Sequence, residues 1–447
     1  MSANEVERVR RALAASSPLP VSGRVVRAAG VVVEASLPRV ALGAQCEIHL
    51  DGDERLLAEV VGVTAGHALL LPFGDLRGIR EGCTVIQRGG VAELPVGDAL
   101  LGRVVDARMR PMDGGLPLLL RSRARLDAVP PPAMSRRRIG KQLHTGVRVL
   151  DACLCVGEGQ RVAVMAGPGV GKSVLLGMLA RHSAADIIIV GLIGERGREV
   201  REFVERDLGP GLARSIVVVA TGDEPPLLRI RAAQAATSLA EHFRARGKKV
   251  LLLIDSLSRV AMAQREVGLA AGEPPTSKGY PPSVFAALPR LVERAGNDEG
   301  PGSITAFYTV LAEGDDLADP VADAVRAALD GHIVLSRKLA ESGHFPAIDV
   351  LQSVSRVLTD ITNAHQREAA RDARDLLAAH REAADLIDVG AYAAGSNARV
   401  DRALKILPNL RRFLQQSPEP APIPLVDTFS MLRGALELKQ PPPEKLP

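Results

Sequence analysis

The sequence predicts an α/β chain in three parts: a small N-terminal β-barrel, a central parallel-sheet core and a C-terminal helical domain. Three observations carry this. Between Val21 and Leu94, short apolar runs separated by Gly and Asp-Gly signals recur at about ten-residue spacing, the rhythm of a small all-β unit. From Val147 to Leu358, near-continuous apolar runs alternate with helical stretches. Strands apolar on both faces belong to a parallel sheet between helical layers. After Thr359 only the helical period remains. The boundaries are placed at 1–95, 96–360 and 361–447.

Each element follows in order. Val6, Val9 and Leu13 lie at helical spacing among charges, giving a short amphipathic N-terminal helix whose stripe is too narrow to anchor a core. The runs Val25-Val26, Val31-Val32-Val33, Val40-Ala41-Leu42, Leu56-Leu57, Val60-Val61 and Ala68-Leu69-Leu70-Leu71 supply the barrel strands. Residues 100–132 read as a connecting segment, punctuated by Pro111, Asp113-Gly114-Gly115 and Pro130-Pro131-Pro132. Core strands are expected at 161–166, 187–193, 216–220, 250–254 and 303–310. Helices are expected at 363–387 and 399–414, before a Pro-rich tail at 441–447 that frays.

Composition excludes several classes of function. The chain is 46% hydrophobic and 24% charged, an ordinary globular balance. No run of 18 apolar residues exists to form a membrane-spanning helix. Arg8, Arg10 and Arg11 precede only a short apolar stretch broken by Ser16, Ser17 and Pro18, too weak for a secretory signal. Cys46, Cys83, Cys153 and Cys155 make neither a disulfide framework nor a zinc set, so a cytoplasmic location is expected. Aromatic residues are 2% of the chain, with no Trp, and only Phe73 falls in the first 200 residues. Bases of single-stranded nucleic acid stack on aromatic rings, so a nucleic-acid partner is not expected. The net charge of +4 is local: residues 101–150 hold 11 Lys and Arg against three Asp. That fits a solvated or inter-subunit face, or an electrostatic contact with acidic lipid or a partner.

Ala166-Gly167-Pro168-Gly169-Val170-Gly171-Lys172-Ser173 follows an apolar run and precedes a helical stretch from Val174 to Arg181. A strand, a glycine-rich turn and a helix in this order form a phosphate-binding loop. Its glycines let backbone N–H groups point inward, and the helix N-terminus adds partial positive charge. Lys172 would reach β- and γ-phosphates, and the Ser173 hydroxyl would meet Mg²⁺. The motif departs from the usual one in beginning with Ala166 instead of Gly.

Asp255 ends the apolar run 250–254, 83 residues beyond Lys172. In a phosphate-loop fold a carboxylate there holds the Mg²⁺ hydration shell. Ile193-Gly194-Glu195-Arg196-Gly197-Arg198 follows another strand. Glu195 fits either a base that polarises water or a surface carboxylate paired with its flanking arginines. Arg356, in Ser353-Val354-Ser355-Arg356, fits an arginine finger or a structural ion pair.

The stretches 166–173, 194–198, LLLIDSLSR at 251–259 and GEPPTSKGYPPSVFAALPRLVERA at 272–295 resemble the catalytic subunits of rotary ATPases. Among these they resemble most the type III protein-export ATPases of flagella and injectisomes. Residues 303–337 and GHFPAIDVLQSVSRV at 343–357 extend the resemblance over nearly the whole chain.

That resemblance implies a RecA-like P-loop core that hydrolyses ATP with Mg²⁺ to power chaperone release, unfolding and export of proteins. Gly167, Pro168, Gly169, Val170, Gly171, Lys172, Ser173 and Val174 would bind the phosphates, with Ser173 and Asp255 on the metal. Glu195 would be the catalytic carboxylate, with Arg196 beside the γ-phosphate. Phe345 would contact adenine where Tyr is usual, and Arg356 would be offered to the neighbouring subunit. It also implies a homohexamer, a central stalk protein, and export chaperones with their secreted proteins. A stator-like regulator would dock on the N-terminal helix, with peripheral contact to the export gate at the cytoplasmic face of the inner membrane. Two positions depart from the family pattern: 138–143 lacks an expected Glu-Pro, and Lys278 stands where Arg is common.

Other readings remain at this stage. A rotary ATP synthase catalytic subunit would carry an acidic segment in its helical domain, where this chain has Arg367, Arg371, Arg374 and Arg381 among its acids. A hexameric RNA translocase lacks support from the aromatic-poor N-terminal region. A non-catalytic nucleotide-binding scaffold would usually lack a carboxylate at Glu195.

Overall fold

Alternating side chains close the first strands into a barrel. In the computed structural model, which describes residues 21–64, 66–89, 92–311, 319–419 and 421–439, β1 (Ser22–Ala29), β2 (Val32–Ser36), β3 (Gln45–His49), β4 (Arg55–Thr64), β5 (His67–Pro72) and β6 (Thr84–Gly89) pair in the closed order β1-β2-β5-β4-β3-β6. Strands β2 and β3 bury every second residue. Val25, Val33, Ile48, Leu70 and Val85 fill the interior. Gly23 lets β1 lie against β2, since a Cβ there would fall 1.7 Å from the Ser36 carbonyl oxygen. The run Val40-Ala41-Leu42 forms a turn instead of the expected strand, and the strand begins only at Gln45. The expected N-terminal helix and the Pro-rich tail lie outside the described residues.

The second unit is built on a nine-stranded sheet. Its members are β8 (Val104–Asp106), β10 (Arg161–Ala166), β11 (Ile187–Glu195), β12 (Ser215–Thr221), β13 (Lys249–Asp255), β14 (Gly296–Asn297), β15 (Ser303–Leu311), β16 (Gly331–Leu335) and β17 (Val354–Ser355). The order is β17-β16-β10-β15-β13-β11-β12-β8, with β14 on β15. All neighbours are parallel except β17 on β16 and β14 on β15. Strands β7 (Glu93–Val96) and β9 (Ser122–Arg125) pair as a separate ribbon.

The five expected core strands are present, each within two residues of its expected ends. The segment 100–132 needs correction: it is not merely a connector, because β8 within it adds an edge strand beside β12. The segment 347–351 forms no strand of the sheet and contributes only an isolated bridge between Ile348 and Leu335.

The helical domain belongs to the same unit. Helix Ala364–Asp388 starts with a reciprocal capping box between Asn363 and Gln366. Its small stripe of Ala369, Ala373, Ala379 and Ala383 meets helix Ala398–Leu414. Leu376, Ile406, Leu410 and Phe413 share one apolar core with Leu150, Leu154 and the sheet. A third helix, Leu425–Ala435, completes the domain.

Candidate functional site

The carboxyl edge of the parallel sheet gathers the expected site. Residues 167–171 leave the end of β10, and helix Lys172–His182 begins at once. Gly171 takes φ +88°, a left-handed conformation that any L side chain adopts at a cost. No side chain caps this helix, so its first N–H groups stay available to an anion. Gly167 and Val170 are buried, Pro168 and Gly169 exposed, and Ser173 and Val174 half-buried.

Lys172 turns inward to two carboxylates. Its Nζ donates to Asp255 Oδ1 at 2.6 Å and to Glu195 Oε1 at 3.2 Å. Asp255 ends β13 and Glu195 ends β11, two adjacent strands in parallel register. Thr309, on β15 between β10 and β13, donates its hydroxyl to the same Oδ1 at 2.6 Å. Burial pulls the Lys172 ammonium down, but Asp255 and Glu195 outweigh it and hold its pKa above the ordinary lysine value. Burial pushes the Asp255 carboxyl up, opposed by Lys172 and Thr309. Burial also raises Glu195, and a hydrogen bond shared with Glu199 adds to this against the pull of Lys172.

The remaining candidates lie around this clasp. The ring of Phe345 sits 3.4 Å from where a Gly171 Cβ would be, so it lies against the phosphate loop, with the residue 45% exposed. Arg196 is not drawn in: its side chain is 87% exposed and meets Glu199 at 3.6 Å. Arg356 is also apart. Ser355 pairs with Gly331, and β16 runs parallel to β10 with His332 level with Ala163. At roughly 3.3 Å per residue, Arg356, level with Asp330 and Arg161, stands on the order of 16 Å back along the sheet from Ala166. Its guanidinium is exposed, with Nη2 donating to the Arg326 carbonyl at 3.4 Å.

Two participants escape a reading of local sequence. Thr309 looks like one more β-branched strand residue until the sheet register sets it beside Asp255. Arg259 covers the backbone before Glu195, its Cβ lying 2.8 Å from where a Gly194 Cβ would be. Its buried Nε has no hydrogen-bond partner among the described residues. A buried guanidinium nitrogen left open, an uncapped helix start and a lysine shared between two acids all suit an anionic, metal-bearing phosphate ligand. The carboxylate of Asp255 and the hydroxyl of Ser173 are hard oxygen donors of the kind Mg²⁺ takes.

Comparison with known proteins agrees with this geometry. The nucleotide-binding domain of the ATP synthase alpha/beta family matches residues 146–355, and that family's beta-barrel domain matches 25–89. The T3SS EscN ATPase C-terminal domain matches 362–434. The flagellum-specific ATP synthase of Treponema pallidum is 49% identical over 436 residues, covering 96% of this chain and 97% of that one. The type 3 secretion system ATPase of Sinorhizobium fredii is 50% identical over 402 residues, covering 89% and 88%. Among solved structures, the assembled ATPase EscN of the enteropathogenic E. coli type III secretion system superposes with a TM-score of 0.88. It is 42% identical, over 93% of this chain and all of that one.

Proposed function

We infer the function of this chain from the family to which it belongs, that of the flagellum-specific ATP synthases and type 3 secretion system ATPases: it is an ATPase of a flagellar or injectisome protein-export apparatus. The observation that carries the chemistry is Lys172 held between Asp255 and Glu195 at the mouth of the phosphate loop. The carboxyl-terminal match to a secretion ATPase domain favours export over proton-driven ATP synthesis.

Before nucleotide arrives, Lys172 neutralises both acids. The β- and γ-phosphates of ATP compete for that ammonium, while the N–H groups of residues 167–174 take the remaining oxygens. Release of Lys172 leaves Asp255, with Ser173, to hold Mg²⁺, and Thr309 keeps the carboxylate turned. Mg²⁺ held by Ser173 and Asp255 would serve as a Lewis acid, drawing negative charge from the phosphate oxygens. Release also frees Glu195, at the end of β11, to accept a proton from the attacking water. Arg196 would swing in from solvent, and Arg259, whose buried Nε beside Gly194 is unpartnered among the described residues, would be available to developing phosphate charge. Phe345 offers its ring to adenine.

One positive group is still missing on the far side of the γ-phosphate. Arg356 is exposed and remote from its own loop, which suits a finger presented to the next subunit of a homohexamer. A relative, EscN, has been solved assembled and with its central stalk EscO; a central stalk is proposed here too. Export chaperones and secreted proteins are the proposed cargo. A stator-like regulator on the N-terminal segment would hold the ring at the export gate, on the cytoplasmic face of the inner membrane. The proposed division of labour follows 1–95 for recruitment and assembly, 96–360 for hydrolysis and 361–447 for cargo and stalk.

The purified protein tests this directly. Phosphate release from Mg·ATP should rise more steeply than linearly with protein concentration in the dissociating range. Activity strictly proportional to concentration from monomer to ring would rule out a site shared between subunits.

A further inference from the structure

Gln160 is fully buried, and every polar atom of its side chain is in use. Its Oε1 accepts from the Gly157 N–H at 2.9 Å, which turns Nε2 the other way. Nε2 donates to the Asp330 carbonyl at 3.0 Å and to Ser355 Oγ at 3.2 Å. Ser355 Oγ in turn donates to the Cys155 carbonyl at 2.7 Å. The Asp330 carbonyl that Gln160 holds also receives the backbone N–H of Arg356, at 3.0 Å. One amide thus grips the acceptor of Arg356 and the side chain of the residue before it.

The surroundings allow little slack. Arg161 donates to the Asp330 carboxylate from N and Nε at 3.0 Å and from Nη2 at 3.1 Å. A Cβ on Gly331 would fall 2.5 Å from the Val354 carbonyl oxygen and 3.2 Å from Gln160 Nε2. The guanidinium of Arg356, by contrast, keeps one long contact and faces solvent. A pinned backbone carrying a free charged end is how a rigid protein aims a group at something outside itself.

We propose that Gln160 is a positioning residue for Arg356, fixing the backbone from which that guanidinium reaches the neighbouring subunit's nucleotide. The inference rests on the trans role of Arg356 given above. A buried amide is costly unless all its bonds are made, and these bonds converge on the two residues that set the direction of Arg356. A displacement of about 1 Å at a group that stabilises transferred phosphate costs up to roughly 10²-fold in rate.

The test mixes subunits. Gln160→Leu keeps the volume and removes the donors. Its kcat should fall about 10- to 100-fold, with the affinity of the isolated chain for a fluorescent ATP analogue changed less than about twofold. Its phosphate loop remains intact, so rings mixed with Lys172→Ala subunits, which carry a well-held Arg356, should regain activity. Arg356→Ala mixed with Lys172→Ala is the control. If the control regains activity and the Gln160→Leu mixture does not, Gln160 acts on its own phosphate loop and the proposal is overturned while the role of Arg356 stands. If neither mixture recovers in rings shown by mass to be mixed, the trans reading falls and this proposal with it. Ser355→Ala attacks the same clamp from the half-buried side. Should Gln160→Leu fail to fold, the rate loss of Ser355→Ala and its recovery on mixing with Lys172→Ala decide the matter by the same criteria.

Discussion

Thr309→Val perturbs the metal site without touching a residue that meets nucleotide. Valine keeps the branched shape in a fully buried position and removes only the hydroxyl. That hydroxyl donates at 2.6 Å to Asp255 Oδ1, the oxygen Lys172 also reaches at 2.6 Å. Asp255 is 2% exposed, so water cannot replace the lost donor. A hydrogen bond to a charged group contributes about 1.5–3 kcal/mol. At about 1.4 kcal/mol per decade, that is roughly 10- to 100-fold in an equilibrium constant. Outer partners of metal ligands cost the same 10- to 100-fold in metal affinity by an independent route, so about tenfold is a conservative expectation. ATP turnover measured against free Mg²⁺ should therefore show half-saturation moved up about tenfold, with saturating Mg²⁺ restoring kcat to within about threefold. A Mg²⁺ curve superposable on wild type would refute the reasoning. So would a rate loss that no Mg²⁺ concentration repairs in a protein that still folds.

Lys172→Ala should abolish turnover and also destabilise the nucleotide-free protein. It leaves Asp255 and Glu195 facing each other where the side chains of Lys172 and Asp255 are 15% and 3% exposed, and breaking such a buried pair costs about 3–5 kcal/mol. Both carboxyls already titrate above their ordinary values through burial, so the folded state binds protons that the unfolded state has released. The deficit in melting temperature should therefore shrink as pH falls from about 7.5 to about 5.5, and a pH-independent deficit would count against buried acids as its cause. In the wild type, the acid limb of kcat/KM should lie above that of a solvent-exposed carboxylate, because Glu195 must be ionised to accept a proton. A limb at the ordinary glutamate value would place the base elsewhere. Gly23→Ala should lower barrel stability by about 3 kcal/mol or more in urea denaturation, since its Cβ would overlap the Ser36 carbonyl oxygen at 1.7 Å. An unchanged midpoint would mean that β1 and β2 part freely.

The phosphate loop was legible because its mechanism is confined to consecutive residues between a strand and a helix. The five central strands were legible because both their faces are buried, leaving near-continuous apolar runs. What escaped depends on distant pairing. The edge strand Val104–Asp106 is three residues long and sits among turn signals, so only its partner β12 makes it a strand. Strands β16 and β17 are short, and the first is interrupted by a polar His332. Helix Leu425–Ala435 is only 11 residues long and follows the Pro-rich stretch 418–424, so no long helical period announces it. Thr309 and Gln160 illustrate the same limit within the site. Sequence shows one as strand filler and the other as a polar residue before a strand. Register and burial turn them into the residues that hold Asp255 and the backbone of Arg356.

Glu195→Gln, assayed for nucleotide affinity and turnover on one preparation, tests the hydrolytic site most directly. Glutamine preserves the size of the side chain and its contact with Lys172 but cannot take a proton from water. Mg·ATP should bind within about threefold of wild type while turnover falls by roughly 10²-fold or more. Turnover within about threefold of wild type, in a protein that binds Mg·ATP normally, would contradict Glu195 as the catalytic base and with it the assignment of this carboxylate pair as the hydrolytic centre.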